Sequence, residues 1–519
     1  MSRTTTTPPI ARKSDPAPRA ARGQKGPGNA DTPLKPAGGS ARHAVEGGLA
    51  VLTALTVMSG AGYAALRALG ADGSAPLTQL VPALVSLAFG GRADLSADLT
   101  PKAGAGGGML DMLGGGGGGG GGLSVGIAGQ VWAMPLMLTF LGAAVLGWCF
   151  FRPLRRRARP APALVIARSM GALGVTAVLV PVLAVMARGS LSLPESVSDR
   201  LGKGGGSGGG LGRLTGGGGI PSLDFTTDVV LTGFLAVLEV ALVIGLGCLA
   251  ARHTSLPAPV ALSRARLKWN PVTSTLTGIF TALCTLALFL ALLAGAAAAT
   301  GRDQAAKAAG VLLLAAPNLL SAVLTSGLGA SWQAGMERRQ PQGGGMMGGL
   351  GAMGGGTGGG GAEGGGKQVD VSGKAVAGLP LWLIGLTLLL CLLVYAGYRT
   401  AARTPARTAR EEADALLGRH VEIALRAGVA VGVGILILGL VSQASMGIGF
   451  SLMGNEMGGM DAGLDGSVGF PALAGFVLAG LACYAGSRLY TVRDGRRPHP
   501  RGHTQVREVS SKPGPRRRG

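Results

Sequence analysis

The stretch LAVLEVALVIG, residues 235–245, holds one carboxylate, Glu239, inside an otherwise apolar run. A carboxylate in that setting either carries a proton or finds a hydrogen-bonding partner on a neighbouring element. The chemistry it could support is proton or cation binding. No basic residue falls at matching depth. Arg168 and Arg426 enter their own apolar runs near one end and reach inward only part of the way, while Gln443, Thr176, Thr281 and Thr285 offer uncharged groups. One reading is a proton or ion site at Glu239 with Arg168, Arg426 or Gln443 as polar neighbours. The other is a neutral glutamic acid that ties two helices together.

Other chemistry-bearing patterns are weaker. GLSVG at 122–126 fits G-x-S-x-G, but a nucleophile elbow needs a strand-to-helix turn and a histidine in reach. His43, His253, His420, His499 and His503 all map to the side opposite Ser124. With 95 glycines, matches to G-x-G-x-x-G carry no information. No G-x-x-x-x-G-K-[S/T] occurs, and a phosphate-binding loop needs that hydroxyl for magnesium. Cys149, Cys248, Cys284, Cys391 and Cys483 lie in apolar runs without a C-x-x-C pair, so they read as small packing residues rather than a zinc site. These patterns predict no catalytic activity, no cofactor and no metal.

The elements that must position Glu239 are long apolar segments. Runs at 46–70, 131–151, 165–188, 229–250, 276–299, 379–398, 425–450 and 470–488 are each long enough to cross a hydrocarbon core of roughly 30 Å. The expected fold class is all-α: a polytopic transmembrane helical bundle of about eight spans. Glu239 falls near the middle of its span. Of the 47 basic residues, 34 gather in the two tails and three alternate loops, which places both termini on the cytoplasmic side of a plasma membrane. The net charge of +22 therefore reads as a topology signal and an attraction to anionic lipid headgroups at the cytoplasmic face. No nucleic-acid partner is expected, whereas membrane-protein partners fit.

Two further apolar stretches, LVPALVSLAFGG (80–91) and GVLLLAAPNLLSAVLTSGLG (310–329), are read as re-entrant or interfacial segments. Counting the second as a span would move the basic run 398–410 to the wrong side. Pro82, Leu84 and Ser86 align with Pro317, Leu319 and Ser321, and IARSMGALGV (166–175) resembles IALRAGVAVGV (423–433), which suggests a 4+4 tandem repeat. The same step along the chain carries Cys248 to Cys483 and would put Ala474 opposite Glu239. The resulting organisation is a disordered basic tail over 1–43, a first half over 44–253, a linker over 254–275, a second half over 276–490 with the Gly-rich loop 343–366, and a basic tail over 491–519. Glycine runs at 114–122, 204–219 and 343–366 read as disordered outer coils. Gly428 and Gly432 form a GxxxG pair that admits a close helix, Thr408 and Glu411 have capping-box spacing, and Pro135 and Pro181 are expected to kink their helices.

This layout of basic Pro/Ala tail, Ala/Leu/Val helices, poly-Gly outer loops and basic C-terminal tail resembles the streptophobe-type integral membrane proteins of high-GC Gram-positive bacteria. The resemblance implies a plasma-membrane protein, and it assigns neither a biochemical activity nor functional residues. Two functions follow as expectations: a non-catalytic envelope structural or membrane-partner protein, or a secondary transporter or channel with a proton or cation site at Glu239.

Overall fold

The computed structural model describes residues 38–73, 75–99, 125–155, 161–191, 223–251, 256–257, 262–298, 303–339, 369–370, 375–376, 378–405, 417–452 and 455–495. Residues 1–37 and 496–519 of the tails, the three glycine runs, Ser124, His253, and the Thr408 and Glu411 pair lie outside these residues, while 38–43 and 491–495 are helical.

Among the described residues there are ten α-helices: α1 (Gly38–Leu69), α2 (Leu77–Ala88), α3 (Leu136–Arg155), α4 (Pro162–Met186), α5 (Val229–Ala250), α6 (Arg264–Ala298), α7 (Asp303–Ser326), α8 (Leu381–Arg403), α9 (Arg419–Ser442) and α10 (Gly469–Gly495). Nine are long and apolar enough to cross a membrane; α2 is the short one. The chain is thus a multi-pass helical bundle of the kind the apolar periods predict. Exposed Leu, Val, Ile and Phe side chains line the outward flanks of these helices, as a bundle solvated by hydrocarbon requires.

The glycine runs are flanked by strands that the helical pattern did not disclose: β1 (Ala93–Leu99), β2 (Val125–Ala133), β3 (Gly189–Leu191), β4 (Leu223–Thr227), β5 (Trp332–Arg339), β6 (Val369–Asp370), β7 (Ala375–Val376), β8 (Leu379–Pro380), β9 (Ala444–Leu452) and β10 (Asn455–Gly466). Eight of them make one sheet in the order β3-β4-β1-β2-β9-β10-β5-β6, and β7 pairs with β8. Strand follows helix within a few residues at α4–β3, β4–α5, α9–β9 and β10–α10, so the sheet lies at one end of the bundle.

The sheet makes the internal repeat explicit. Its first four strands, β3-β4-β1-β2, and its last four, β9-β10-β5-β6, hold equivalent places after and before equivalent helices. Ala93 pairs with Thr227 and Trp332 with Gly466, and one step along the chain carries Ala93 to Trp332 and Thr227 to Gly466. The turns after α2 and α7 match at that same step: Gly90 and Gly329 have φ of 81° and 85°, and Gly91 N and Ala330 N donate back to Ser86 O and Thr325 O. A left-handed residue closing a helix C-terminus is a place where glycine carries no steric penalty. Ser86 is therefore equivalent to Thr325, one helical turn beyond Ser321, which corrects the alignment of Pro82 with Pro317. Repeated apolar residues one turn apart make the two registers hard to separate by sequence.

Helix α7 explains the apolar run 310–329. Gly310 sits against Ala65 and Leu69 of α1, Asn318 bonds Met134 and Leu136 at the start of α3, and Gly327 lies on Gly385 and Leu386 near the start of α8. All three contacts are with sheet-side ends of helices. The helix then feeds β5 in the sheet, so α7 joins the sheet-side ends of α1, α3 and α8; it is also long and apolar enough to cross a membrane, which makes nine such helices among the described residues where the apolar runs gave eight. Pro135 precedes α3, where its carbonyl accepts from Leu138 and Thr139 and starts the helix instead of kinking it.

Reciprocal glycines set the closest helix crossings. A Cβ on Gly47 would lie 2.0 Å from Arg168 O, and one on Gly171 2.0 Å from Ala44 O, where α1 meets α4. Gly327 and Gly385 do the same for α7 and α8, as do Gly397 and Gly486 for α8 and α10. Small residues let backbones approach and gain dispersion where lipid gives no hydrophobic drive. Gly428 and Gly432 sit on Phe476 and Ala472 of α10, a contact within the bundle.

Candidate functional site

Asp228 starts the helix that carries Glu239. Its side chain accepts from Val230 N at 3.0 Å and Leu231 N at 3.1 Å, capping two donors that α5 itself cannot satisfy. Glu239 then falls midway along α5, facing α1, α3 and α4. It borders a cavity of about 20 Å³ walled by Val51, Leu55 and Met58 of α1, Phe89, Leu146 of α3, Thr176 of α4, and Val240 and Val243. That space holds roughly one water.

Glu239 Oε2 is buried and accepts no hydrogen bond from the described residues. The one polar side chain beside it on the cavity wall is Thr176, fully buried, whose hydroxyl donates to Ala172 O at 2.9 Å. Its hydroxyl oxygen keeps lone pairs that a protonated carboxyl or a trapped water can reach. A neutral Glu239 in this cavity costs far less than a carboxylate with no counter-charge.

The other expected neighbours are elsewhere. Arg168, 3% exposed, donates to Glu46 at 3.2 Å and Cys149 O at 3.1 Å and lies over the Phe150 ring. Glu46 also faces Arg42 and His43. Arg426 donates to Lys268 O and pairs with Glu422. Gln443 donates to Gly466 O where α9 meets the sheet. The expectation that Arg168, Arg426 or Gln443 is a polar neighbour of Glu239 is corrected: each sits near a helix end, where backbone carbonyls and ion partners are at hand. The step that relates Ala93 to Trp332 places Leu478, rather than Ala474, at the position equivalent to Glu239; both pack in the apolar core of the second half.

The arginines read as topology signals also fasten helix ends. Arg266, 2% exposed, donates to Cys248 O and Ala251 O at the end of α5, and Arg419 to Ala401 O at the end of α8. Such bonds satisfy terminal carbonyls that no helical amide reaches. Sequence reasoning passed over Glu46, whose signal was an acidic residue beginning an apolar run, and Trp332, whose buried Nε1 donates to Thr325 Oγ1 at 2.8 Å.

Searches against protein-family models, curated proteins and solved structures give no match to this chain.

Proposed function

We propose that this protein is a non-catalytic membrane scaffold, an envelope structural or membrane-partner protein that carries its eight-stranded sheet outside the plasma membrane. The carrying observation is the sheet itself: both halves of the bundle contribute four strands to one platform. Asp94, Ser96, Asp224 and Thr226 point away from the helices, while Phe225 and Leu95 turn inward onto Leu80 and Ala83 of α2. The opposite end of the bundle gathers Arg152, Arg155, Arg266, Lys268, Arg403, Arg419, Arg426 and Arg493. That end is the cytoplasmic one by the charge rule, with both termini there and anionic headgroups as its lipid partners. The resemblance to streptophobe-type proteins agrees with this placement.

A second reading, a proton or cation transporter, is favoured by the unpartnered Oε2 of Glu239. The room beside it, about 20 Å³, suits one water rather than a solute. Proteoliposomes with an imposed pH gradient and a trapped pH dye separate the two readings. The scaffold reading predicts the same slow leak for wild type and Glu239→Gln. A wild-type flux well above the leak of protein-free vesicles, abolished by Glu239→Gln, would overturn it.

A further inference from the structure

Methionine is unevenly spread along this chain. Half of its 16 methionines fall in two short segments, 336–353 and 446–460. Three of these have described side chains, Met336 on β5, Met446 on β9 and Met460 on β10, and they are 61%, 40% and 42% exposed. Among the described residues of the eight-stranded sheet no other large apolar side chain is exposed, whereas Phe225 and Trp332 of the same sheet are buried. A surface built for apolar contact would draw on Leu, Val or Phe as well, as the outward flanks of the helices do. Exposure confined to thioethers points to the sulfur itself.

Register brings the three together. Met446 and Met336 both pair with Ala462, one from each side of β10. Met460 lies two residues before Ala462 on the same strand, and side chains two apart share a face. Strand spacing and rise then put the Cα atoms of Met446 and Met336 about 10 Å apart, with Met460 between them and about 7 Å along. Ala462 offers only a methyl group inside this triangle, so three long, flexible side chains can converge over it. On the reverse face Asp461 pairs with Glu337, and although Arg338 pairs with Met460, β5 and β10 together are net acidic, which favours a cation at the sheet. Thioethers are soft, neutral donors that suit Cu(I), whereas magnesium and calcium seek carboxylates and carbonyls. Ag(I) has the same charge and a filled d shell and follows the same chemistry. We propose that Met336, Met446 and Met460 form a three-sulfur site for one soft monovalent metal ion, Cu(I) or Ag(I), on the exposed sheet. The absence of a zinc pattern does not bear on it: among the described residues no group of His, Cys, Asp or Glu could hold a metal, and a thioether site needs none of them. The inference is independent of the scaffold reading, since a transporter could carry the same sheet.

The test uses the full-length chain in nanodiscs, labelled with carbon-13 at the methionine ε-methyl groups and titrated with silver nitrate in chloride-free buffer. The readout is at the methionines, so silver taken by the cysteines of the spans does not enter it. Three methyl resonances should shift together, and they should be the ones missing from Met336→Leu, Met446→Leu and Met460→Leu. Leucine conserves the volume and is well tolerated. In equilibrium dialysis the triple leucine variant should bind one silver ion fewer than wild type, while Met170→Leu and Met186→Leu, at exposed positions on α4, should bind as wild type does. Equal silver binding by wild type and the triple variant would overturn the proposal, and so would a shift of any one of the three resonances without the other two. The same three shifts with zinc would overturn it too, because the site would then not select a soft ion.

Discussion

Substituting Gly397 by alanine tests whether the helix crossings are as close as the backbone implies. The new Cβ would lie 2.5 Å from both Cα and O of Cys483 on α10, whereas ordinary contact begins at 3.4 Å. The obstacle is backbone, so no rotamer change relieves it and the two helices must part by nearly an ångström. Overpacking of this kind costs about 1–3 kcal/mol. Alanine in place of glycine on an open helix face works in the other direction, gaining up to about 1 kcal/mol. Gly174 on α4 and Gly434 on α9 have nothing within 4 Å of the added Cβ. Thermal unfolding in detergent, followed by near-UV circular dichroism, should show a lower midpoint for Gly397→Ala and an unchanged or higher one for Gly174→Ala and Gly434→Ala. A midpoint for Gly397→Ala equal to or above those of the controls would refute the close packing of α8 on α10.

Replacing Arg168 by leucine leaves Glu46 without its 3.2 Å partner and Cys149 O without a donor; because Glu46 keeps some access to solvent, the loss should be about 1–3 kcal/mol. A double-mutant cycle with Glu46→Gln should recover coupling, and additive losses would show that the pair is idle. Asp228→Ala removes the two N-cap bonds of α5 and should cost about 0.5–2 kcal/mol, with Asp228→Asn retaining most of it; equal losses for both would mean that charge, not capping, matters. Trp332→Phe removes the bond to Thr325 and should cost about 1 kcal/mol, measurable by denaturant titration, and no cost on top of Thr325→Val. Glu239→Gln should change stability by less than about 1 kcal/mol while Glu239→Lys should reduce membrane insertion, which a glycosylation-tag assay reads; equal insertion of both would place the residue outside the apolar interior.

Eight of the nine long apolar helices were legible as spans because about twenty apolar residues in a row have few other uses, and the ninth, α7, was read as re-entrant or interfacial. The repeat was visible only in outline, since Ala, Leu and Gly recur too often for short matches to fix a register; the left-handed glycines Gly90 and Gly329 and the strand pairings fixed it. The sheet was largely hidden. ASMGIGFSL (444–452) and NEMGGMDAGLDG (455–466) lack the β-branched and aromatic density that marks a strand, and their pairing is long-range. ADLSADL (93–99) and LDFTT (223–227) did alternate apolar and polar residues, and the latter alternates buried and exposed in the fold. Glu239 was legible as an anomaly, but its surroundings were not. Thr176 lines its cavity, whereas Arg168 turned to Glu46, because depth along a helix says nothing about which face a residue occupies.

The scaffold reading stands or falls with Glu239 lying in a closed, water-sized cavity of a packed bundle. Glu239→Cys, made with the five native cysteines replaced, can be challenged in sealed vesicles with a membrane-impermeant thiol reagent from each side in turn. A closed cavity predicts no labelling from either side until the protein is denatured. Rapid labelling of the folded protein from one side would reveal a water path to the middle of α5 and would contradict it.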